Sequence, residues 1–364
     1  MKLFVSLSVT VAAVICNVNA AVIPSLLKPT LHIFGDSLSD VGTLQDLTLG
    51  LVPPPPYWKG RFSSGPVWNE YLAKLRGLEL YNKAIGGSTS NNDHSALLDF
   101  LPLDLPINIP STQDQINFFK VIRPFYSSSL TRENDIAVLE VGANDFFAEM
   151  FDLSTNTLTV SSFVETLSNT VVNQLEQLRQ IGFKNIIVAD LAAIQYTPLA
   201  DILNMESLAN ATVSLYNQQL AAKANAWASS AQGIKMFAIA EIGKFVEVTA
   251  KSNTVLNALG LTNVKTSCVG GNILNLVQSD NKLMALLKLI VDAKENLMCS
   301  NPSTNYFFDF VHPAERIQRL FGYYSHEMIS ALQKGQTLEL NESTILNIIK
   351  QYNLGTPAPK PVAV

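Results

Sequence analysis

Four short segments hold residues able to carry out acyl-transfer chemistry. The first is Phe34-Gly35-Asp36-Ser37-Leu38-Ser39-Asp40, in which the apolar run Leu31-His32-Ile33-Phe34 stops at a Gly-Asp-Ser turn. A strand running into such a turn sets a serine at the C-terminal edge of a parallel sheet, where open α/β folds place their sites. A serine hydroxyl is a weak nucleophile without a base beside it. The chain has four histidines, His32, His94, His312 and His326. His32 lies in a strand and His326 on a helix, and both read as structural or surface residues; His94 sits in a polar Asn-Asn-Asp-His loop and reads as solvated. His312 differs because it precedes Pro313. The residue before a proline is pushed out of the α region, and proline itself suits a first helical turn. His312 is therefore expected on a turn at a helix start. Asp309, three residues earlier, can fold back to accept from one ring nitrogen, leaving the other to take a proton from the serine.

Attack on an ester also requires donors where negative charge develops on the carbonyl oxygen. Ile85-Gly86-Gly87-Ser88-Thr89 follows a strand pattern, and glycine there lets a backbone N–H approach a ligand closely. Val141-Gly142-Ala143-Asn144-Asp145 follows another, and the Asn144 side chain can donate through its amide. Taken singly, Gly86-Gly87 could be a plain turn and Asn144 a helix N-cap. All four segments fall in order at strand ends or helix starts, which chance does not readily produce.

These segments need a scaffold, and the hydrophobic pattern predicts one. Strands are expected at Leu31–Phe34, Leu78–Ile85, Asp135–Val141, Lys184–Leu191 and Ile234–Ile239. Helices are expected at Pro66–Leu75, Val160–Ile181, about Asn204–Ser230 and from Pro313 onward. In the last, Ile317, Leu320, Phe321, Tyr324, Met328, Ile329 and Leu332 recur at three- and four-residue steps. Strands alternating with helices argue for an α/β fold, a three-layer α/β/α sandwich around a mostly parallel sheet of about five strands. Pro53 to Pro56 predict a stiff polyproline II loop. Lys282 to Ala293 is apolar nearly all round and reads as a helix buried against the core, with a mobile lid over a lipid site as the alternative.

Composition narrows the partners. Of 364 residues, 48% are hydrophobic and 15% charged, which supports a sizeable core and excludes wholesale disorder. A net charge of -5 without a basic run is poor material for binding nucleic acid. Lys2 followed by the apolar Leu3 to Ile15 and the small residues of Val18-Asn19-Ala20 reads as a signal peptide over 1–20. Residues 21–354 are expected to form a single domain and 355–364 a disordered tail. No other apolar run is long enough to span a membrane, so the expectation is a secreted protein. Removal of Cys16 leaves Cys268 and Cys299, an even pair that reads as one disulfide in an oxidising compartment. Asn210 and Asn341 open Asn-x-Ser/Thr sequons and are candidate glycosylation sites. There is no Gly-x-Ser-x-Gly elbow, no His-Glu-x-x-His, no Cys-x-x-Cys and no Walker-type loop, so the expected mechanism uses neither metal nor cofactor.

The four segments together resemble the blocks of the GDSL family of lipases and esterases, the SGNH hydrolases. Gly35-Asp36-Ser37-Leu38 is similar to the first block, Gly86-Gly87 to the second, Gly142-Ala143-Asn144-Asp145 to the third and Asp309-Phe310-Val311-His312 to the last. Phe62-Ser63-Ser64-Gly65-Pro66-Val67-Trp68, Gly260-Leu261-Thr262-Asn263-Val264 and Tyr306-Phe307-Phe308-Asp309 resemble the plant, fungal and hemolysin-like branch. The resemblance covers nearly all of the chain after the leader. One departure is Phe308, where many members have Trp.

Carried over by position, the resemblance implies Ser37 as nucleophile, His312 as general acid/base and Asp309 as its orienter. The oxyanion hole would comprise the Ser37 N–H, the Asn144 amide and a glycine N–H, with Gly87 preferred and Gly86 left open. The implied activity is carboxylic ester hydrolysis through an acyl-enzyme, on a lipid or an acylated carbohydrate, with transient contact to a lipid surface an open option. Alternatives on the same site are acyl transfer and polysaccharide deacetylation. From another class, the alternative is a secreted binding protein on a retired hydrolase fold. Retired copies lose the serine, the histidine or an oxyanion donor, and here all four segments are intact.

Overall fold

The computed structural model describes residues 28–99, 101–102, 106–126, 133–271, 273–293 and 297–356. The leader expected over 1–20 lies outside them, as does the tail beyond Thr356. Five strands, β1 (Thr30–Gly35), β2 (Glu79–Asn82), β3 (Ile136–Glu140), β4 (Asn185–Ala189) and β5 (Met236–Ala240), form one sheet in the order β2-β1-β3-β4-β5. Every pairing in it is parallel. The longer helices are α1 (Trp68–Arg76), α2 (Thr112–Tyr126), α3 (Ala143–Thr155), α4 (Val160–Ile181), α5 (Glu206–Ser230), α6 (Ile242–Lys251), α7 (Lys282–Val291), α8 (Glu315–Leu332) and α9 (Glu342–Gln351).

Strand periodicity explains the layering. Successive strand side chains point to opposite faces, so a sheet covered on both sides is built from nearly continuous apolar runs. Phe34, Ala137, Leu139, Ile186 and Val188 pack with Ile116 of α2, Leu175 of α4 and Tyr216 of α5. The alternate residues Leu31, Ile33, Val138, Ile187 and Ala189 pack with Trp68 of α1, Phe245 of α6, Leu320 of α8 and Ile345 of α9. The result is the α/β/α sandwich expected from the pattern.

Most boundaries fall within a residue or two of those expected, and four differences have physical causes. The Leu78–Ile85 strand is assigned only to Asn82, yet Lys83 and Ile85 N–H still donate to the Ile33 and Gly35 carbonyls at 2.8 and 3.0 Å. The ladder thus reaches the Gly86-Gly87 turn. The expected Asn204–Ser230 helix is two: Asn204 caps Pro198–Leu203 in the left-handed conformation (φ 52°), and α5 starts at Glu206. The helix expected from Pro313 starts at Glu315, because Phe307 bridges to Pro313 and Ala314 N–H donates to the Tyr306 carbonyl, which keeps the chain extended. Where a stiff polyproline II loop was expected, the Pro53 to Pro56 run turns back, with Tyr57 N–H donating to the Pro54 carbonyl at 3.1 Å. Val52 N–H donates to Thr48 Oγ1 and Gln45 Nε2 to the Pro53 carbonyl, which ties the run to the helix Thr43–Leu47. α2, α3, α6 and α9 have no counterpart among the expected helices; Asn341 caps α9 by accepting from Thr344 N–H, and α9 buries Ile345, Ile348 and Ile349. Arg319 then donates to the Thr356 carbonyl, so the first two residues of the expected tail are held to the fold.

Candidate active site

β1 ends at Gly35, where a side chain would meet the Glu140 carbonyl oxygen of the neighbouring strand at 2.9 Å. The chain then turns: Ser39 N–H donates to the Asp36 carbonyl and Leu38 N–H to Asp36 Oδ1. This leaves Ser37 at the C-terminal edge of the sheet, with Oγ 2.6 Å from His312 Nε2. His312 Nδ1 lies 2.7 Å from Asp309 Oδ2. Asp309 Oδ1 accepts from the N–H groups of Val311 and His312 at 2.9 and 2.7 Å, so the Asp-x-x-His segment folds back on itself. Ser37, His312 and Asp309 thus form one hydrogen-bonded line, and all three are buried. Burial alone would raise the pKa of Asp309; the charge and hydrogen bond of His312 and the two backbone donors outweigh it and hold the carboxyl below its usual range.

A buried polar layer supports this line. Glu140 closes β3 and accepts from Ser39 Oγ at 2.9 Å, and Ser39 Oγ in turn accepts from Trp68 Nε1 at 3.0 Å. Burial and the charge of Glu140 push the Asp36 carboxyl well above its usual value, and burial raises Glu140 as well. Asp40 accepts from the N–H groups of Gly42, Thr43 and Leu44 and from Gly86 N–H at 2.7 Å. The Gly86 donor is therefore engaged away from the serine. Gly87, at φ +84°, lines the same cavity as Ser37, His312 and Asn144. Asn144 sits in the first turn of α3, whose N-cap is Gly142, and its amide donates to the Ser88 carbonyl at 2.8 Å. An amide nitrogen carries two hydrogens, so this bond orients the group and leaves one for an oxyanion. Gln115 joins the first two segments, donating to the Gly35 carbonyl at 2.9 Å and to Ser88 Oγ at 3.0 Å.

A family model described as GDSL-like Lipase/Acylhydrolase matches residues 31–324, a span that contains all four segments. The chain belongs to the GDSL-like lipase and acylhydrolase family. Among curated relatives, the phosphatidylcholine-sterol acyltransferase of Aeromonas hydrophila is 28% identical over 66% of this chain and 65% of its own length. GDSL esterase/lipase 6 of Arabidopsis thaliana is 22% identical, covering 88% of this chain and 91% of the relative. The thermolabile hemolysin of Vibrio parahaemolyticus is 32% identical over 35% of this chain and 28% of the relative.

In this GDSL-like lipase/acylhydrolase the serine opens onto a cavity of about 80 Å³ whose other walls are almost wholly apolar. Phe147, Ile194, Leu283, Leu287 and Ile290 are among its lining. Three of these come from α7, whose Leu283, Leu286, Leu287 and Ile290 are buried. The apolar Lys282 to Ala293 segment is thus a buried helix that also walls the cavity. The Cys268–Cys299 disulfide closes the segment that contains it, and Val269 N–H donates to the Phe308 carbonyl one residue before Asp309.

The remaining histidines take other roles. His32 is buried with Nε2 3.3 Å from Asp135 Oδ2, and His94 is exposed, as expected, and pairs with Glu149 at 2.7 Å. Asn210 is exposed on α5, and Asn341 is the α9 cap. Two residues at the site escaped the sequence reading. Tyr57 donates its hydroxyl to Asp309 Oδ2, and the Phe62 ring lies 5.1 Å from that of His312. For Tyr57 the local signal is an aromatic right after the proline run; Phe62 opens the Phe62–Trp68 segment that resembles the family, but nothing local places it beside His312.

Proposed function

We propose that this family member is a secreted serine hydrolase that cleaves carboxylic esters of apolar acyl groups. The observation that carries the reading is the line Ser37–His312–Asp309, at 2.6 and 2.7 Å, at the mouth of an apolar cavity. Ser37 Oγ attacks the ester carbonyl carbon as its proton passes to His312 Nε2. The carbonyl oxygen becomes an oxyanion, held by the N–H groups of Ser37 and Gly87 and by the Asn144 amide. Asp309 stabilises the imidazolium that forms. His312 then gives its proton to the departing alcohol, leaving the acyl group on Ser37. Water, deprotonated by His312, attacks that acyl-enzyme and releases the acid.

The apolar walls supplied by Phe147, Ile194 and α7 favour an acyl chain over an acetylated sugar, whose ring hydroxyls would find few partners there. Acyl transfer to an alcohol is the second reading, supported by the likeness to the Aeromonas acyltransferase. It uses the same acyl-enzyme, with the alcohol taking the place of water. Secretion is supported by the Cys268–Cys299 disulfide, a bond that persists in oxidising compartments, and by the leader pattern of residues 1–20.

The test is hydrolysis of p-nitrophenyl esters from acetate to palmitate by the wild type and Ser37→Ala, with a serine-reactive phosphonate to report the nucleophile. The expected result is activity that rises with chain length, vanishes in the variant and is matched by labelling at Ser37. Absence of both turnover and labelling overturns the enzyme reading. For secretion, N-terminal sequencing of protein recovered from the medium should begin at Ala21.

A further inference from the structure

Asp309 Oδ2 has two partners, His312 Nδ1 and the Tyr57 hydroxyl, each at 2.7 Å. The mechanism above makes no use of the second. Tyr57 is 252 residues away in sequence and is buried. Its ring meets Phe308 edge-on with centroids 5.2 Å apart, and Phe62 lies 6.0 Å away. Behind it, Trp58 N–H donates to the Ser63 carbonyl, and the proline run is tied to Thr48 and Gln45. The phenol is therefore delivered by a braced loop. Packing alone would be served as well by phenylalanine, since burying an extra hydroxyl gains nothing unless it is used.

We propose that Tyr57 is a positioning residue of the reaction: its hydroxyl fixes the Asp309 carboxylate and draws off part of the negative charge on the oxygen that faces His312. The proposal rests on the reading of Ser37, His312 and Asp309 given above. Its consequence follows from competition at one oxygen. Without the phenol, Oδ2 is a stronger acceptor for His312 Nδ1–H, so the imidazolium is favoured and His312 gives up its proton less readily. The carboxylate also loses one of its four anchors, which lets the imidazole drift from the serine. The titratable groups facing this pair are few. Asp309 meets His312 and Tyr57; His312 meets Asp309 and Ser37, and its charge is felt by Glu140, which is coupled to Asp36. Burial, and then the Asp309 charge, push the Tyr57 hydroxyl well above its usual value, so it stays a donor throughout the working range.

Tyr57→Phe tests this in the full chain. We expect kcat to fall about tenfold with KM nearly unchanged, the scale of a small misplacement of a catalytic group. The acid limb of the kcat/KM profile should move to higher pH, and the far-downfield proton resonance of His312 Nδ1–H should shift. A fluorinated tyrosine at position 57, a stronger donor of the same shape, should move the limb to lower pH; it serves as the test even if the Phe variant folds poorly. Unchanged limb and resonance in these proteins, or a loss of activity that tracks only a lower unfolding temperature, would overturn the role. If Ser37 is labelled and Ser37→Ala is inactive while the Tyr57 variants match wild type, only this inference fails. If Ser37→Ala is as active as wild type, the underlying reading fails and takes the inference with it.

Discussion

Phe62 fills the space that a side chain at Gly86 would need: a Cβ placed on Gly86 falls 2.2 Å from Phe62 Cε2. The same ring lies 5.1 Å from the His312 imidazole, so one aromatic side chain braces both the glycine turn and the base. Gly86→Ala should therefore act on stability and turnover together. An overpacked site of this kind costs about 1–3 kcal/mol. Urea unfolding should show that loss, and kcat should drop as Gly87 and His312 are displaced. A variant with wild-type stability and turnover would mean that the Phe62 ring moves aside freely.

Asn144 carries a separate prediction. Its amide is oriented by the Ser88 carbonyl at 2.8 Å, so removing it should weaken oxyanion stabilisation without opening the core. Asn144→Ala should lower kcat by roughly 100- to 1,000-fold with little change in KM. Near wild-type turnover by a folded variant would remove Asn144 from the oxyanion hole.

Leu287 bounds the cavity beside Gly87, its Cδ atoms 3.5 Å from where a Gly87 Cβ would lie. Leu287→Trp should fill this space. Hydrolysis of octanoate and longer p-nitrophenyl esters should fall at least about tenfold more than hydrolysis of acetate, the discrimination that a few methylenes in an apolar pocket provide. A chain-length profile of unchanged shape would place the acyl chain elsewhere.

Stability should fall from mildly acidic to alkaline pH. Burial pushes the Asp40 carboxyl up to about 6 and that of Asp190 up to about 8. Both titrate near 3.9 when unfolded, so in the window from about 4 to 8 the folded chain holds protons that the unfolded chain releases. The stabilisation is complete below the unfolded pKa and is lost as pH rises through 6 and then 8. His326, lowered by burial, works in the opposite sense but is a single half-buried group. Asp309 has a lowered pKa, so its contribution is lost only at still lower pH. The unfolding midpoint should be higher at pH 5 than at pH 8.5, and Asp190→Asn should flatten the upper part of the decline. A midpoint that rises over that range would show that these carboxyls remain ionised in the folded state.

Much of the candidate site was legible in the chain because it depends on neighbours in sequence. The alternation of short apolar runs with helical patterns led to the parallel sheet, and the glycine after Phe34 marked where β1 ends and the serine turn begins. Asp309 and His312, three residues apart around a turn, meet through local backbone geometry that Pro313 restricts. The helix start after Pro313 was misread because a bridge to Phe307 holds the chain extended there, and nothing near Pro313 announces that partner. That the Gly86 N–H is engaged elsewhere was closed to the sequence for a similar reason: the Asp40 carboxylate reaches across 46 residues to take it.

Tyr57, Phe62 and Glu140 lie furthest from such a reading, since each acts on the site from another element. By itself the sequence determined where the strands fall along the chain, the segments at their ends and the type of chemistry those segments could support. Periodicity and turn preference are properties of adjacent residues. Only the tertiary structure decided which distant atoms share a hydrogen bond or a wall of the cavity. Those contacts exist only once the sheet and its two helical layers have closed around one edge.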